Sequence, residues 1–214
     1  MGHPIFAAMY DRIFAVAERS GLSEMRAGIV GKARGRTLEI GGGTGLNLPH
    51  YTDALTSLVM VEPDQHMARR LRERIQGESA PVPVEVVEAA AEELPFEDGC
   101  FDTVVSTFVF CSVGDPARAA GEVRRVLADD GHLLLLEHVR DPDNETRRRW
   151  QDRLERPWGL FTGGCHPNRD TPATLAAAGF DLDIEHDEFP RGGPLVKPVV
   201  RGSAVQATDR ISSS

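Results

Sequence analysis

Three cysteines, two lysines and an aromatic content of 6% in 214 residues set the first limits on this chain. Cys100, Cys111 and Cys165 are scattered and form no Cys-x-x-Cys pair. Neither a disulfide framework nor a metal site follows from them, and a reducing cytoplasm is the expected setting. No apolar run reaches the length of a membrane span. The opening MGHPIFAAMYDRIFAVAERSG mixes acids and bases and lacks the basic-then-apolar layout of a signal peptide. No Ser or Thr stands where a myristoylation motif beginning at Gly2 needs one, so no stable membrane anchor is expected. Excess positive charge is also missing. The formal net charge is -9, a balance that repels phosphate backbones, so no nucleic-acid partner is expected. The densest basic run, Arg147 to Arg149, stands beside Trp150 and Leu154 at helical spacing and reads as the wet side of an amphipathic helix.

What is present is an ordinary globular composition, 41% hydrophobic and 27% charged, in a length that suits one domain over residues 1–214. Residues 4–33 read as a helical cap, with Ile5, Phe6, Met9, Ile13 and Phe14 gathered toward one side. Strands then alternate with helices. The expected strands are Thr37–Ile40, Ser57–Val61, Val84–Glu88, Asp102–Phe110 and His132–Val139. Helices are expected at Gln65–Gln76 and from Asp115–Pro116 to Asp129–Asp130–Gly131, the second opened by a capping acid and a first-turn proline. Runs such as 132–136 are apolar throughout, as strands buried on both faces must be. The order implies an α/β domain with five parallel strands and helices on both faces. After Arg140 comes an insertion over 140–170, with a polar helix around Trp150 and a turn at Gly163–Gly164. A helix from Thr171–Pro172 to Gly179 and two close strands, 180–189 and 199–207, complete the chain. That last pair can only be antiparallel.

The strongest local signal is Leu38-Glu39-Ile40-Gly41-Gly42-Gly43-Thr44-Gly45. Glycines directly after a strand let a ligand approach the backbone, and helix N–H groups beyond them offer donors. The spacing separates cofactors. A dinucleotide fingerprint wants a small residue where Leu46 or Leu48 stands, and no Gly-Lys-Ser/Thr ending marks a triphosphate loop. Gly41, Gly43 and Gly45 instead form a Gly-x-Gly-x-Gly that resembles motif I of the class I S-adenosylmethionine-dependent methyltransferases. That resemblance implies a Rossmann-like, doubly wound, seven-stranded sheet and S-adenosylmethionine as cofactor. Glu62, followed by Pro63, stands at the end of the second strand, where an acid accepts hydrogen bonds from both ribose hydroxyls. By the same resemblance Met67 lies against the adenine, and Ser106 and Thr107 meet the methionine half.

The segment from Ala89 to Asp102 resembles the Asp-Ala-x-x-Leu-Pro-Phe…Phe-Asp stretch of this superfamily, with one departure. Ala90 replaces the usual adenine-reading Asp, so recognition falls to backbone near Ala91 and to Glu92. Glu39, the strand-end acid of the glycine motif, is expected with Asn47 at the cofactor. Several further segments, Cys111-Ser112-Val113, Glu137-His138-Val139, Gly164-Cys165-His166 and Arg169-Asp170-Thr171, together with Asn47, resemble the methyltransferase-like seven group of alkyl-thiol S-methyltransferases. This implies a small-molecule methyl acceptor with a thiol sulfur. The alternatives are O-, N- or C-methylation of a quinone, lipid headgroup or secondary metabolite, or a non-catalytic cofactor-binding module. A thiol gives up its proton readily, so one weak base suffices. His138 and His166 are the candidate bases. Cys111 is expected to be an inert buried thiol, and Arg169 and Asp170 to pair with each other.

Overall fold

The computed structural model describes residues 15–78, 80–191 and 193–207. The first part of the expected cap, including Ile5 to Phe14, lies outside them. A π-turn over Glu18–Leu22 bends at Gly21 and leads into α1, Ser23–Val30. Then follow β1 (Gly35–Ile40), β2 (Leu55–Val61), α2 (Gln65–Gly77), β3 (Val84–Val87), β4 (Phe101–Thr107), α3 (Pro116–Val126) and β5 (Leu127–His138). The chain closes with α4 (Glu145–Phe161), α5 (Thr171–Ala177), β6 (Phe180–Glu188) and β7 (Pro198–Gln206). The seven strands form one sheet in the order β3-β2-β1-β4-β5-β7-β6. The first five are parallel, and β7 runs antiparallel between β5 and β6. The expected seven-stranded α/β architecture is therefore present.

The uninterrupted apolar strands are explained by two cores. Leu38, Ile40, Val104, Leu133 and Leu135 face one side, where Ala119, Val123 and Val126 of α3 and Leu175 of α5 cover them. Leu58, Met60, Val105, Leu134 and Leu136 face the other, under Met25, Ile29 and Val30 of α1 and Leu71 of α2. Period-two alternation sends neighbouring residues to opposite faces, so a strand covered twice must be apolar at every position.

Helix starts follow local chemistry. Asp64, Asp115, Asn144 and Asp170 each accept backbone N–H bonds at the first turn of α2, α3, α4 and α5. Two boundaries differ from expectation. The third helix stops at Val126 instead of Gly131, because Leu127 is already extended and pairs with Phe101. β4 stops at Thr107 instead of Phe110. Phe108 takes φ 57 there, a conformation that breaks the ladder, and the Val109 N–H is claimed by Glu137 Oε1 at 3.0 Å.

The arginine run is bonded within its own segment. Arg147 pairs with Asp141 and Arg149 with Glu145, while Arg148 donates to the carbonyls of Asp141 and Pro142. Among the described residues no helix is long and apolar enough to cross a membrane.

Candidate active site

The chain leaves β1 toward β2 and leaves its neighbour β4 toward β5, so the two connections diverge and open a crevice at the carboxyl ends of β1 and β4. A cavity of ≈ 630 Å³ occupies that crevice. Of the residues expected at a site, Gly41, Gly43, Glu62, Pro63, Met67, Ala91, Glu92, Thr107 and His138 line it. Glu39, Gly45, Asn47, Ser106 and His166 do not. A larger, more open groove of ≈ 1010 Å³ lies at the amino ends of β4 and β5, away from these groups.

The glycines act differently from one another. Gly43 has φ 56, and a Cβ added to it would meet only the Gly41 carbonyl oxygen, at 3.8 Å. Its open side is the cavity. Gly45 has φ 83, and a Cβ there would lie 2.8 Å from Leu71 Cδ1 and 2.9 Å from Leu48 Cδ1. Close packing of the loop on α2 demands that second glycine.

Glu62 grips this loop. Its Oε2 accepts from Gly43 N and its Oε1 from Asp64 N, both at 2.9 Å. Burial pushes its carboxyl above the ordinary value, against those two bonds. Each oxygen can accept a further bond, and Glu62 lines the cavity. An acid at the rim, an unobstructed glycine backbone and the buried Met67 face suit a ribose, a polar chain and a base in turn. The residues therefore fit the cofactor that the glycine motif implies. Glu92 has a bracing role as well: its Oε1 accepts from Gly114 N at 2.6 Å and Asp115 N at 3.2 Å.

Beneath the cavity lies a buried polar network. Glu39 accepts from Tyr51 Oη at 2.6 Å and from Asn47 Nδ2 at 2.9 Å. Asn47 Nδ2 also reaches Thr107 Oγ1 at 2.9 Å. Arg26 donates to Asn47 Oδ1, Thr107 Oγ1 and Glu18 Oε1. Burial raises the Glu39 carboxyl to about 7, against the bonds from Tyr51 and Asn47 and the Arg26 charge. Sequence reasoning missed Arg26, Glu18 and Tyr51. The available signal was an arginine among Met25, Ile29 and Val30 on the apolar side of α1. Ser106 is likewise structural, donating to the buried Glu137 carboxylate at 2.7 Å.

The far half of the cavity carries sulfur. Cys111, in the turn after β4, His138, at the end of β5, and Cys165, in the turn after α4, are all buried and line the wall. Cys165 Sγ lies 3.1 Å from His138 Nε2 and accepts from Trp158 Nε1 at 3.3 Å. The Cys111 thiol, then His138 and Trp158, hold the Cys165 thiol well below its usual range despite burial. The neighbouring Cys165 and burial push the Cys111 thiol up. Burial alone would lower His138, but contact with Cys165 and the Glu137 charge raise it. His166 is held differently: its Nδ1 lies 2.8 Å from Glu155 Oε1, and its N–H donates to the Cys111 carbonyl. Arg169 and Asp170 do not pair as expected. Arg169 donates to the Phe110 carbonyl, tying down the Cys111 turn, and Asp170 is committed to capping α5.

The chain is similar to several known proteins. Residues 38–135 match the family model described as a methyltransferase domain. The human thiol S-methyltransferase TMT1A is 32% identical over 206 residues, covering 94% of this chain and 83% of that protein. The phosphatidylethanolamine N-methyltransferase of Cereibacter sphaeroides is 32% identical over 131 residues, 61% of this chain and 64% of that protein. A solved methyltransferase of Thermotoga maritima, described as a possible histamine N-methyltransferase, shares 25% identity with a TM-score of 0.67, covering 96% of this chain and 98% of that one.

Proposed function

Since the chain belongs to the class I S-adenosylmethionine-dependent methyltransferases, we propose that its methyl acceptor is the sulfur of a small thiol. The observation that carries this reading is the 32% identity with a thiol S-methyltransferase across 94% of the chain. That span takes in α4 and the Cys165 turn as well as the glycine loop.

S-Adenosylmethionine supplies an electrophilic sulfonium methyl. In our reading Glu62 holds the ribose, Gly41 and Gly43 bring backbone to the amino-acid half, Met67 covers the base, and Ala91 with Glu92 borders it. Thr107 closes the floor between the two halves. What the protein adds to a displacement of this kind is alignment and exclusion of water. Phe108, Trp158 and Phe189 form apolar wall on the acceptor side. Phe108 and Phe189 meet edge to face with centroids 5.4 Å apart, which fixes the width of that wall. A thiol fits such a lining, because its neutral form carries little desolvation cost and its proton leaves without a strong base. Of the two candidate histidines only His138 reaches the cavity wall, so we assign it, and not His166, to the acceptor.

The test is label transfer from methyl-labelled S-adenosylmethionine to a panel of alkyl thiols, amines and phenols. Transfer to thiols is expected. Transfer confined to amines or phenols, from a protein that S-adenosylhomocysteine stabilises against heat, would sink the thiol reading and leave the cofactor site intact.

A further inference from the structure

Cys111, His138 and Cys165 come from three separate elements, yet one ligand atom of each lies within 4.8 Å of the other two. We propose that these three side chains bind a zinc ion whose fourth position opens into the acceptor half of the cavity.

The donor set is the first argument. Two thiolates and an imidazole are soft and borderline ligands that select zinc over hard cations, and three protein ligands with one open position is the arrangement of catalytic zinc sites. Geometry is the second. Bonds of about 2.3 Å to sulfur and about 2.0 Å to nitrogen place tetrahedral ligand atoms roughly 3.5–3.8 Å apart. The Cys165–His138 separation of 3.1 Å and the 4.8 Å limit of the cluster bracket that value. Shifts of about half an ångström per atom would bring both of these limits to that spacing.

Charge is the third argument. Two thiolates on a divalent cation leave no net charge, which a buried wall tolerates, whereas an unbalanced ion there would be expensive. Support from outside the ligand set is also present. Trp158 Nε1 donates to Cys165 Sγ, and Arg169 fixes the Phe110 carbonyl next to Cys111. Groups that orient ligands in this way are the usual companions of a metal site. Access is the last argument: all three side chains line the cavity, so the fourth position faces an incoming small molecule.

The use of such an ion rests on the thiol reading above; its binding does not. An acceptor thiol that takes the fourth position would release its proton to water and stay as a thiolate on the ion, His138 then holding the ion instead of serving as the base. That sulfur's lone pair forms the new bond to the methyl carbon as the sulfonium S–CH3 bond breaks, and S-adenosylhomocysteine leaves.

The experiment is a titration of reduced, chelator-treated protein with cobalt(II), read by absorbance. An ultraviolet thiolate-to-cobalt band with visible bands of a tetrahedral ion is expected, saturating at stoichiometric cobalt and displaced by zinc(II). Cys165→Ser, Cys111→Ser and His138→Asn should lose it, and Cys100→Ser, remote from the cluster, should keep it. Should a serine variant fail to fold, the wild-type titration still decides. A folded, reduced wild-type protein that develops no thiolate band and retains no zinc in equilibrium dialysis overturns the proposal, as does a band that survives in Cys165→Ser. The readout is independent of methyl transfer, so a failed thiol assay and a failed metal site are told apart.

Discussion

Tyr51 donates its hydroxyl to the Glu39 carboxylate at 2.6 Å, and Glu39 is only 1% exposed. The pair sits directly under the glycine loop, at the carboxyl end of β1. Its electrostatics give a signature in stability. Glu39 has a carboxyl raised from 4.5 to about 7 by burial. The folded state therefore binds a proton more tightly than the unfolded state, and this stabilising contribution is complete below about pH 4.5. It declines as pH rises and is lost above about pH 7, a change on the order of 3 kcal/mol. Glu39→Gln removes the titration and retains a polar side chain of the same shape. Across pH 4.5–7 the difference between wild type and variant is expected to shift steadily in favour of Gln. Parallel melting-temperature curves for the two proteins would contradict this account.

Glu62 is expected to govern cofactor affinity. Its carboxylate grips the glycine loop and lines the cavity beside it. Hydrogen bonds to a charged group contribute about 1.5–3 kcal/mol, so Glu62→Ala should weaken S-adenosylhomocysteine binding by roughly 10- to 100-fold. The ligand-free melting temperature should fall as well, since Gly43 and Asp64 each lose an acceptor. Calorimetric affinities within about twofold of each other would remove Glu62 from the binding site.

Gly43 and Gly45 separate binding from folding. An alanine at either position is strained by its positive φ, at a cost of about 1–2 kcal/mol. At Gly43 the methyl group would project into the cavity and meet no protein side chain within 4 Å. At Gly45 it would strike Leu71 and Leu48, an overpacking cost of about 1–3 kcal/mol more. Gly43→Ala should therefore lose cofactor affinity with a modest drop in stability, and Gly45→Ala should lose more stability. Urea midpoints and ligand titrations on both variants check the contrast. Equal effects on both readouts would mean that the loop does not divide its work in this way.

The sheet was legible because doubly buried strands leave continuous apolar runs, and because Asp115–Pro116 and Thr171–Pro172 announce their helices chemically. Where local sequence competed with tertiary contacts, legibility ended. The apolar run to Phe110 hides the turn at Phe108, which exists because Glu137 takes the Val109 N–H from a strand away. At the site, the glycines and Glu62 were readable since their register after a strand fixes their place. The sulfur cluster was not. Cys111 and Cys165 are 54 positions apart by their numbering, and only the folding of α4 over the carboxyl end of β5 brings them together. Asn47 and Glu39 were found by resemblance; their partner Tyr51 carries no local pattern, and Arg26 is marked only by its place among Met25, Ile29 and Val30 on the apolar side of α1.

Arg26 is the strongest remaining test of that hidden network. It is 3% exposed and serves three acceptors: Glu18 Oε1 and Asn47 Oδ1 at 2.9 Å, and Thr107 Oγ1 at 3.1 Å. Its guanidinium also lies 5.4 Å from the Phe108 ring centroid, close enough for a cation–π contact. One side chain thus joins α1, the glycine loop and the end of β4. Arg26→Met fills similar space and supplies none of these donors, leaving Asn47 and Thr107 short of a partner in a buried setting. A loss of about 2–4 kcal/mol in urea unfolding is expected. Arg26→Lys keeps the charge, but a point-like ammonium cannot reproduce the planar fork, so it should recover only part of the loss. Thr107 lines the cavity and is oriented by this arginine, so both variants should also bind S-adenosylhomocysteine more weakly, Met more than Lys. A Met variant within about 1 kcal/mol of wild type would mean that packing, and not the fork of hydrogen bonds, joins the three elements.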